Sequence, residues 1–459
     1  MDFSSANIEL WSPIVQTGII AVLILISNTL RQKVSFIRNS LMPTAVLAGF
    51  ILLLLRSTGI LKINTEYLEI VTYHAIALGF IALSLRIPEK QSESAALVGS
   101  KSGALIVSTY LVQALVGLVI SVGLGFTVMP ELFKASGILL PMAYGQGPGQ
   151  ANNVGTTYEV LGMTGGRSFG LSLAATGYLC ACVVGVIYLN ILHRRKKIQS
   201  AERIEISGSV TVDIFQDKNE IPISESIDKL SVQAALVAAV YLLTYVLTNG
   251  ITSLLQAIAP GVASTVSSLL WGFNFIVGSA LATGCRSLFK GLRKAKIMNR
   301  QYQNNYLLSR VSGLAFDFMI VAGIASIDIS DLSGYWLVFT LMAVVGGVVT
   351  FLFLYFMAKK LYPDYFYEGF FSMFGMLTGT ISSGVLLLRE VDPELKTPAS
   401  NNLITGSSFG IIFGAPMLLL ISFAAKSDLS VLISIGLIVV YLAVLLIFMF
   451  KAGKRKNTK

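Results

Sequence analysis

The chain has 459 residues, of which 54% are hydrophobic and only 13% charged. Soluble domains carry about a quarter charged residues, so this composition excludes an ordinary water-soluble fold. A net charge of +10 does not point to nucleic acid, because the Lys and Arg residues sit in short clusters between apolar runs, as the inside loops of membrane proteins do.

Eleven apolar runs are long enough to cross a bilayer. Five lie in the first part of the chain, at 12–30, 39–56, 67–85, 102–127 and 168–192. Six lie in the second, at 230–256, 262–283, 306–326, 333–358, 401–424 and 429–450. The opening Met1-Asp-Phe-Ser-Ser5 lacks the basic start of a signal peptide, so the first run is expected to stay as a helix. Two further stretches, 134–162 and 366–391, are too rich in glycine and polar residues for ordinary spans. The polar segment 193–229 divides five runs from six and reads as a cytoplasmic linker. With the N-terminus outside, 28 Lys and Arg fall in inside loops and 5 outside, with Arg310 left within a helix. This asymmetry predicts an N-out, C-in topology. It holds only if neither glycine-rich stretch crosses the membrane, which makes both re-entrant.

The two stretches also form a repeat. Pro141-Met-Ala-Tyr-Gly145-Gln-Gly-Pro-Gly149-Gln-Ala-Asn-Asn-Val-Gly155 precedes Gly166-Arg-Ser168-Phe-Gly170. In the second half, Phe374-Gly375-Met-Leu-Thr-Gly379-Thr-Ile-Ser-Ser-Gly384 precedes Gly406-Ser-Ser408-Phe-Gly410. Each break carries a G-x-x-x-G. An odd number of helices in the first half turns the second half over. The expected fold is therefore an all-α polytopic membrane protein. It is an inverted repeat of five transmembrane helices, each with a re-entrant hairpin, plus one extra C-terminal helix. The repeats occupy 1–192 and 230–424, and 425–459 hold the extra helix and a basic cytoplasmic tail. Inverted repeats with broken segments are the architecture of secondary transporters. Irregular backbone at membrane depth is tolerated only where it lines a cavity or is buried in protein.

Val34-Ser-Phe-Ile-Arg-Asn-Ser-Leu-Met-Pro43 with Ala45-Val-Leu-Ala-Gly49, and Ala77-Leu-Gly-Phe-Ile-Ala-Leu-Ser-Leu-Arg86, resemble the first loop, second helix and third helix of the bacterial sodium/glutamate symporters. The two breaks fall where that family has its re-entrant loops. Gln146 stands where the family's first loop usually has a histidine. The resemblance implies Na⁺-coupled uptake of glutamate or a related carboxylate across the bacterial cell membrane by a homodimer, with no cofactor beyond the coupling ion.

The amide-rich first break is expected to contact the organic substrate through Gly145, Gln146, Gly147, Gly149, Gln150, Asn152, Asn153 and Thr157. Arg310 is a candidate for the substrate carboxylate, as are Arg167 and Arg389, because a planar guanidinium suits a carboxylate. The hydroxyl-rich second break, through Thr378, Gly379, Thr380, Ser382 and Ser383, is expected to hold the coupling ion together with Asp317. The alternative readings of intramembrane Asp317 are a proton carrier or a partner of Arg310 or His74. Both G-x-S-x-G matches lack a preceding strand and a histidine partner, so they read as helix packing rather than nucleophile elbows. Cys180, Cys182 and Cys285 read as small packing residues. An enzyme is not expected; a proton-coupled carrier and a passive channel are the competing readings.

Overall fold

The computed structural model describes residues 2–87, 93–195, 229–258, 267, 270–272, 274–392 and 397–451. Nearly all of the linker 193–229, the start of the run 262–283 and the basic tail lie outside these residues. Every regular element among the described residues is helical. In chain order the α-helices are α1 Ile8–Lys33, α2 Ser35–Asn39, α3 Thr44–Ser57, α4 Thr65–Leu85, α5 Glu93–Thr127, α6 Pro148–Val160, α7 Gly166–Arg194 and α8 Lys229–Ile258. Then follow α9 Asn274–Lys294, α10 Asn305–Ala325, α11 Trp336–Leu361, α12 Phe366–Thr378, α13 Ile381–Arg389, α14 Ala399–Ala424 and α15 Asp428–Lys451.

Nine of these helices are long and apolar enough to cross a membrane, and all nine match expected runs. The run 39–56 does not give a full-length span. It forms only the 14-residue α3, which begins directly after Pro43, because a proline disfavours the helical region for the residue before it. At about 1.5 Å per residue this helix is roughly 21 Å long, short of a hydrocarbon core of about 30 Å. The run 262–283 is described as α9 only from Asn274 on; this helix continues to Lys294, ends in basic residues and is not among the nine. Local chemistry sets several ends. The Asn7 side chain accepts from Leu10 N at 3.2 Å to start α1, and the Asn64 side chain accepts from Glu66 N at 2.9 Å to start α4. Such caps satisfy amides that a helix start leaves without partners.

The chain folds into two compact units. One comprises Met1–Lys62, Gln91–Ile204 and Gly323–Lys459; the other comprises Ile63–Lys90 and Glu205–Ala322. In the first unit α5 is the hub, packing on α11, α14, α15 and the first break. Close approach depends on small residues, as in many membrane helix pairs. A Cβ on Gly103 would lie 3.0 Å from the Gly406 carbonyl oxygen of α14, and one on Gly99 would lie 2.8 Å from Thr405 Oγ1. The last helix, α15, belongs to this unit, and its Asp428 pairs with Lys134 at 3.0 Å. Leu432, Leu437, Val440, Val444 and Ile447 of α15 stay exposed, as the lipid side of a spanning helix requires.

The second unit is built on Ile81, Ala82, Leu85, Val237, Val240, Ala282 and Leu308. Arg286 Nη1 donates to the Ser84 and Arg86 carbonyls at 3.1 and 3.0 Å. A cation there suits the negative end of the α4 dipole.

Candidate functional site

The first break is built from a 3₁₀ turn over Lys134–Ile138, a π-helical turn over Pro141–Gly145, and then α6. Single π turns inside helices recur at functional sites because they push one backbone stretch out of register. Gly147 links the π turn to α6 with φ +87° and ψ −176°, a region that is essentially glycine-only. The second break separates α12 from α13 at Gly379, with φ −145° and ψ −103°, and at Thr380, which is extended.

The two breaks touch. A Cβ on Gly147 would lie 3.5 Å from the Gly379 carbonyl oxygen, 3.5 Å from Thr380 Cγ2 and 3.9 Å from the Tyr178 hydroxyl. Helix α6 starts at the next residue, Pro148, and α13 starts after Thr380, so two helix N-termini lie beside this contact. Neither has a side-chain cap. Helix starts without caps present free N–H groups and the positive end of the helix dipole.

The expected substrate and ion residues divide by what their polar atoms do. Thr157 Oγ1 donates to Asn153 O at 2.8 Å, and Thr378 Oγ1 to Phe374 O at 2.7 Å, so both protons go to their own helices. The Gln146 amide reaches only Met142 Sδ, at 3.6 Å. Gln150 Oε1, Asn152 Oδ1, Asn153 Nδ2, Thr380 Oγ1 and Ser383 Oγ are buried and have no hydrogen-bond partner. Leaving such a group unpaired costs about 1–3 kcal/mol, so five in two short segments mark a place that expects polar company. Gly149 is buried on α6; Gly145 and Gly379 supply close-packed backbone, and a Cβ on Gly379 would lie 2.8 Å from Ser383 Oγ. The side chain of Ser382 lies outside the description.

Arg310 and Asp317 belong to the second compact unit, whereas both breaks belong to the first. Both residues are exposed on α10. Arg310 lies over the Tyr306 ring at 4.9 Å. Among the described residues the expected pairs of Asp317 with Arg310 and with His74 do not form. His74 Nδ1 instead meets the Tyr241 hydroxyl at 2.6 Å, a partner from α8 that helix spacing alone cannot reveal.

Three contributors escaped the sequence reading. Gln113 of α5 donates to Thr350 Oγ1 at 3.0 Å and to Leu377 O at 2.9 Å. Tyr178 of α7 has its hydroxyl beside Gly147. Gly177 of α7 faces the Thr378 carbonyl and the Tyr144 ring. A glutamine inside an apolar run was a visible signal; the other two residues look like ordinary helix packing until the contacts are known.

Ser168 of the first G-x-S-x-G donates to Asp331 Oδ2 at 2.7 Å and accepts from Asp328 N at 3.2 Å. It pins the start of α7 to the α10–α11 link, where Arg56 Nη2 also donates to the Ile327 carbonyl. Asp328 accepts from the Ser330 hydroxyl and amide at 2.6 and 2.9 Å. Those bonds first, and the charges of Arg56 and Arg167 after them, hold its carboxyl below the ordinary 3.8. A depressed folded value means stability that is present above the ordinary value and lost as pH falls through the folded one. Melting curves should therefore show Asp328→Asn less stable than wild type at neutral pH. The gap should close as pH falls below the ordinary value and through the depressed folded one; a gap constant with pH would remove this contribution.

No protein-family model matches the chain, and no curated protein matches it. The resemblance to sodium/glutamate symporters therefore rests on the quoted residues and the paired breaks.

Proposed function

We propose that the protein is a secondary active transporter that carries L-glutamate or a related carboxylate together with Na⁺ by elevator-like alternating access. The observation that carries this reading is the contact of Gly147 with Gly379 and Thr380, where two uncapped helix starts meet. Helix N-termini attract a carboxylate. The candidate residues on the two breaks are all uncharged, so an anion bound there would be poorly neutralised at membrane depth, where an unpaired charge is costly. A cation travelling with it removes that cost, and the hydroxyl and amide oxygens of Thr380, Ser383, Gln150 and Asn152 are hard ligands that suit Na⁺.

In this reading each break is a re-entrant hairpin of one inverted repeat, with the N-terminus outside. The first break takes the organic solute and the second the ion. Asp317 and Arg310 belong to the other compact unit, and this reading of the breaks does not depend on them. The working form is a homodimer in the bacterial cell membrane. The protein acts as a carrier, not as an enzyme or a passive channel.

Proteoliposome uptake tests this. An inward Na⁺ gradient should drive L-glutamate accumulation, and replacing Na⁺ by choline should abolish it. Gln146→Ala and Thr380→Ala should each lower uptake about tenfold or more, the loss of about 1.4 kcal/mol of binding. Uptake unchanged by Na⁺ removal would sink the sodium reading. If that uptake vanished in Asp317→Asn, the protein would be a proton-coupled carrier, a reading favoured by the unpaired carboxylate on α10. Steady conductance in a bilayer recording would instead indicate a channel.

A further inference from the structure

We infer that Gln113, on α5 and outside both breaks, is a ligand-binding residue whose amide oxygen takes a positively charged group: the ammonium of the solute or a free monovalent cation. This rests on the carrier reading above and adds a residue to its site.

The orientation of the amide is fixed by its neighbours. Gln113 is 1% exposed. Its Nε2 donates to Thr350 Oγ1 at 3.0 Å and to Leu377 O at 2.9 Å. A primary amide has two protons, and both are used. Turning the amide over would set its oxygen against the Leu377 carbonyl, which has nothing to donate, so the flipped form is excluded. The oxygen therefore points the other way. It is buried and has no partner, and a Cβ on Gly145 would lie 2.9 Å from it. One side chain thus holds the last turn of α12 through its nitrogen and faces the end of the first break through its oxygen.

The nitrogen side has a structural explanation. The oxygen side has none within the protein. A buried carbonyl oxygen only accepts, so its missing partner is an N–H or O–H donor or a cation, and a positively charged group is the strongest of these. Thr380 Oγ1 and Ser383 Oγ of the second break are unpaired oxygens as well, and Thr380 borders Gly147 at the start of α6. The two helix starts supply donors. An anion on the starts and a positive group on the oxygens would satisfy both halves.

The test is ligand-induced thermal shift on the purified full-length protein, titrated with NaCl against choline chloride, then with L-glutamate or with glutarate, which lacks the amine. Gln113→Met removes both functions of the side chain. It should weaken the response by about tenfold or more, since a site built around a hydrogen bond strongly rejects its loss. Gln113→Glu keeps an oxygen beside Gly145 and, when protonated, one donation to the Leu377 carbonyl. It should keep most of the wild-type cation response. Equal loss in both variants means a purely structural glutamine and overturns the inference. An altered NaCl midpoint assigns the free ion; collapse of only the glutamate-over-glutarate preference assigns the ammonium. If wild type responds to nothing, the carrier reading fails and takes this inference with it. If wild type responds and Gln113→Met responds equally, the carrier reading stands and Gln113 alone is removed.

Discussion

Gly147→Ala should nearly abolish uptake while leaving a folded protein. The backbone at Gly147, φ +87° and ψ −176°, costs a residue with a side chain about 1–3 kcal/mol. The chain can relieve that strain only by moving the joint between the π turn and α6. That joint is the contact with the second break, because Gly379 O lies 3.5 Å from where the new Cβ would sit. Relief therefore displaces the start of α6 from the start of α13, the two parts proposed to hold the anion. A misplacement of about 1 Å at such a site is worth roughly a hundredfold in rate. Gly59 provides the control. It also has positive φ, +75°, but nothing lies within 4 Å of its Cβ position. Gly59→Ala carries similar backbone strain away from the breaks, so it should lower thermal stability and leave uptake per folded molecule unchanged. Equal uptake by Gly147→Ala and Gly59→Ala proteoliposomes would mean that the joint between the breaks is not where the solute binds.

Much of the helix plan was legible because membrane spans are written locally. A run of apolar residues must satisfy its own backbone in lipid, so composition over about 20 residues decides the element. The breaks were legible for the same reason: Gly145, Gly147 and Gly379 stand out in chains of Leu, Ile and Val. Their contact with each other is consistent with the paired motifs. What was not legible depends on residues far apart in sequence. Gln113 meets Leu377 across more than two hundred residues, and a lone glutamine in an apolar run does not say which carbonyl it serves. His74 and Asp317 looked matched by position, yet Tyr241 takes His74. The short α3 was misread because hydropathy measures how apolar a run is, while Pro43 decides where the helix begins. The interleaving of chain segments in the two compact units follows from such long-range contacts.

Gly177→Ala carries the second large effect, and it separates packing from chemistry at the same place. Gly177 lies on α7 with its Cα turned toward both breaks. An added methyl would collide with the Thr378 carbonyl oxygen at the end of α12 and would lie 3.0 Å from the Tyr144 ring. The first obstacle is backbone, which has no rotamer to move into. Tyr144 is fully buried and its hydroxyl donates to Ala343 O at 2.8 Å, so the ring is held as well. Overpacking of this kind costs about 1–3 kcal/mol, occasionally more. Here the strain falls on the last turn of α12, which Gln113 grips through Leu377. Gly177→Ala should lower the melting temperature and also loosen the second break, weakening the ion response more than the solute response. Gly250→Ala on α8, where nothing lies within 4 Å of the Cβ position, should not lower the melting temperature, since alanine is the better helix former by about 1 kcal/mol. The same substitution on two spanning helices thus has opposite expected signs. A Gly177→Ala protein as stable and as sodium-responsive as wild type would show that α7 does not clamp the second break.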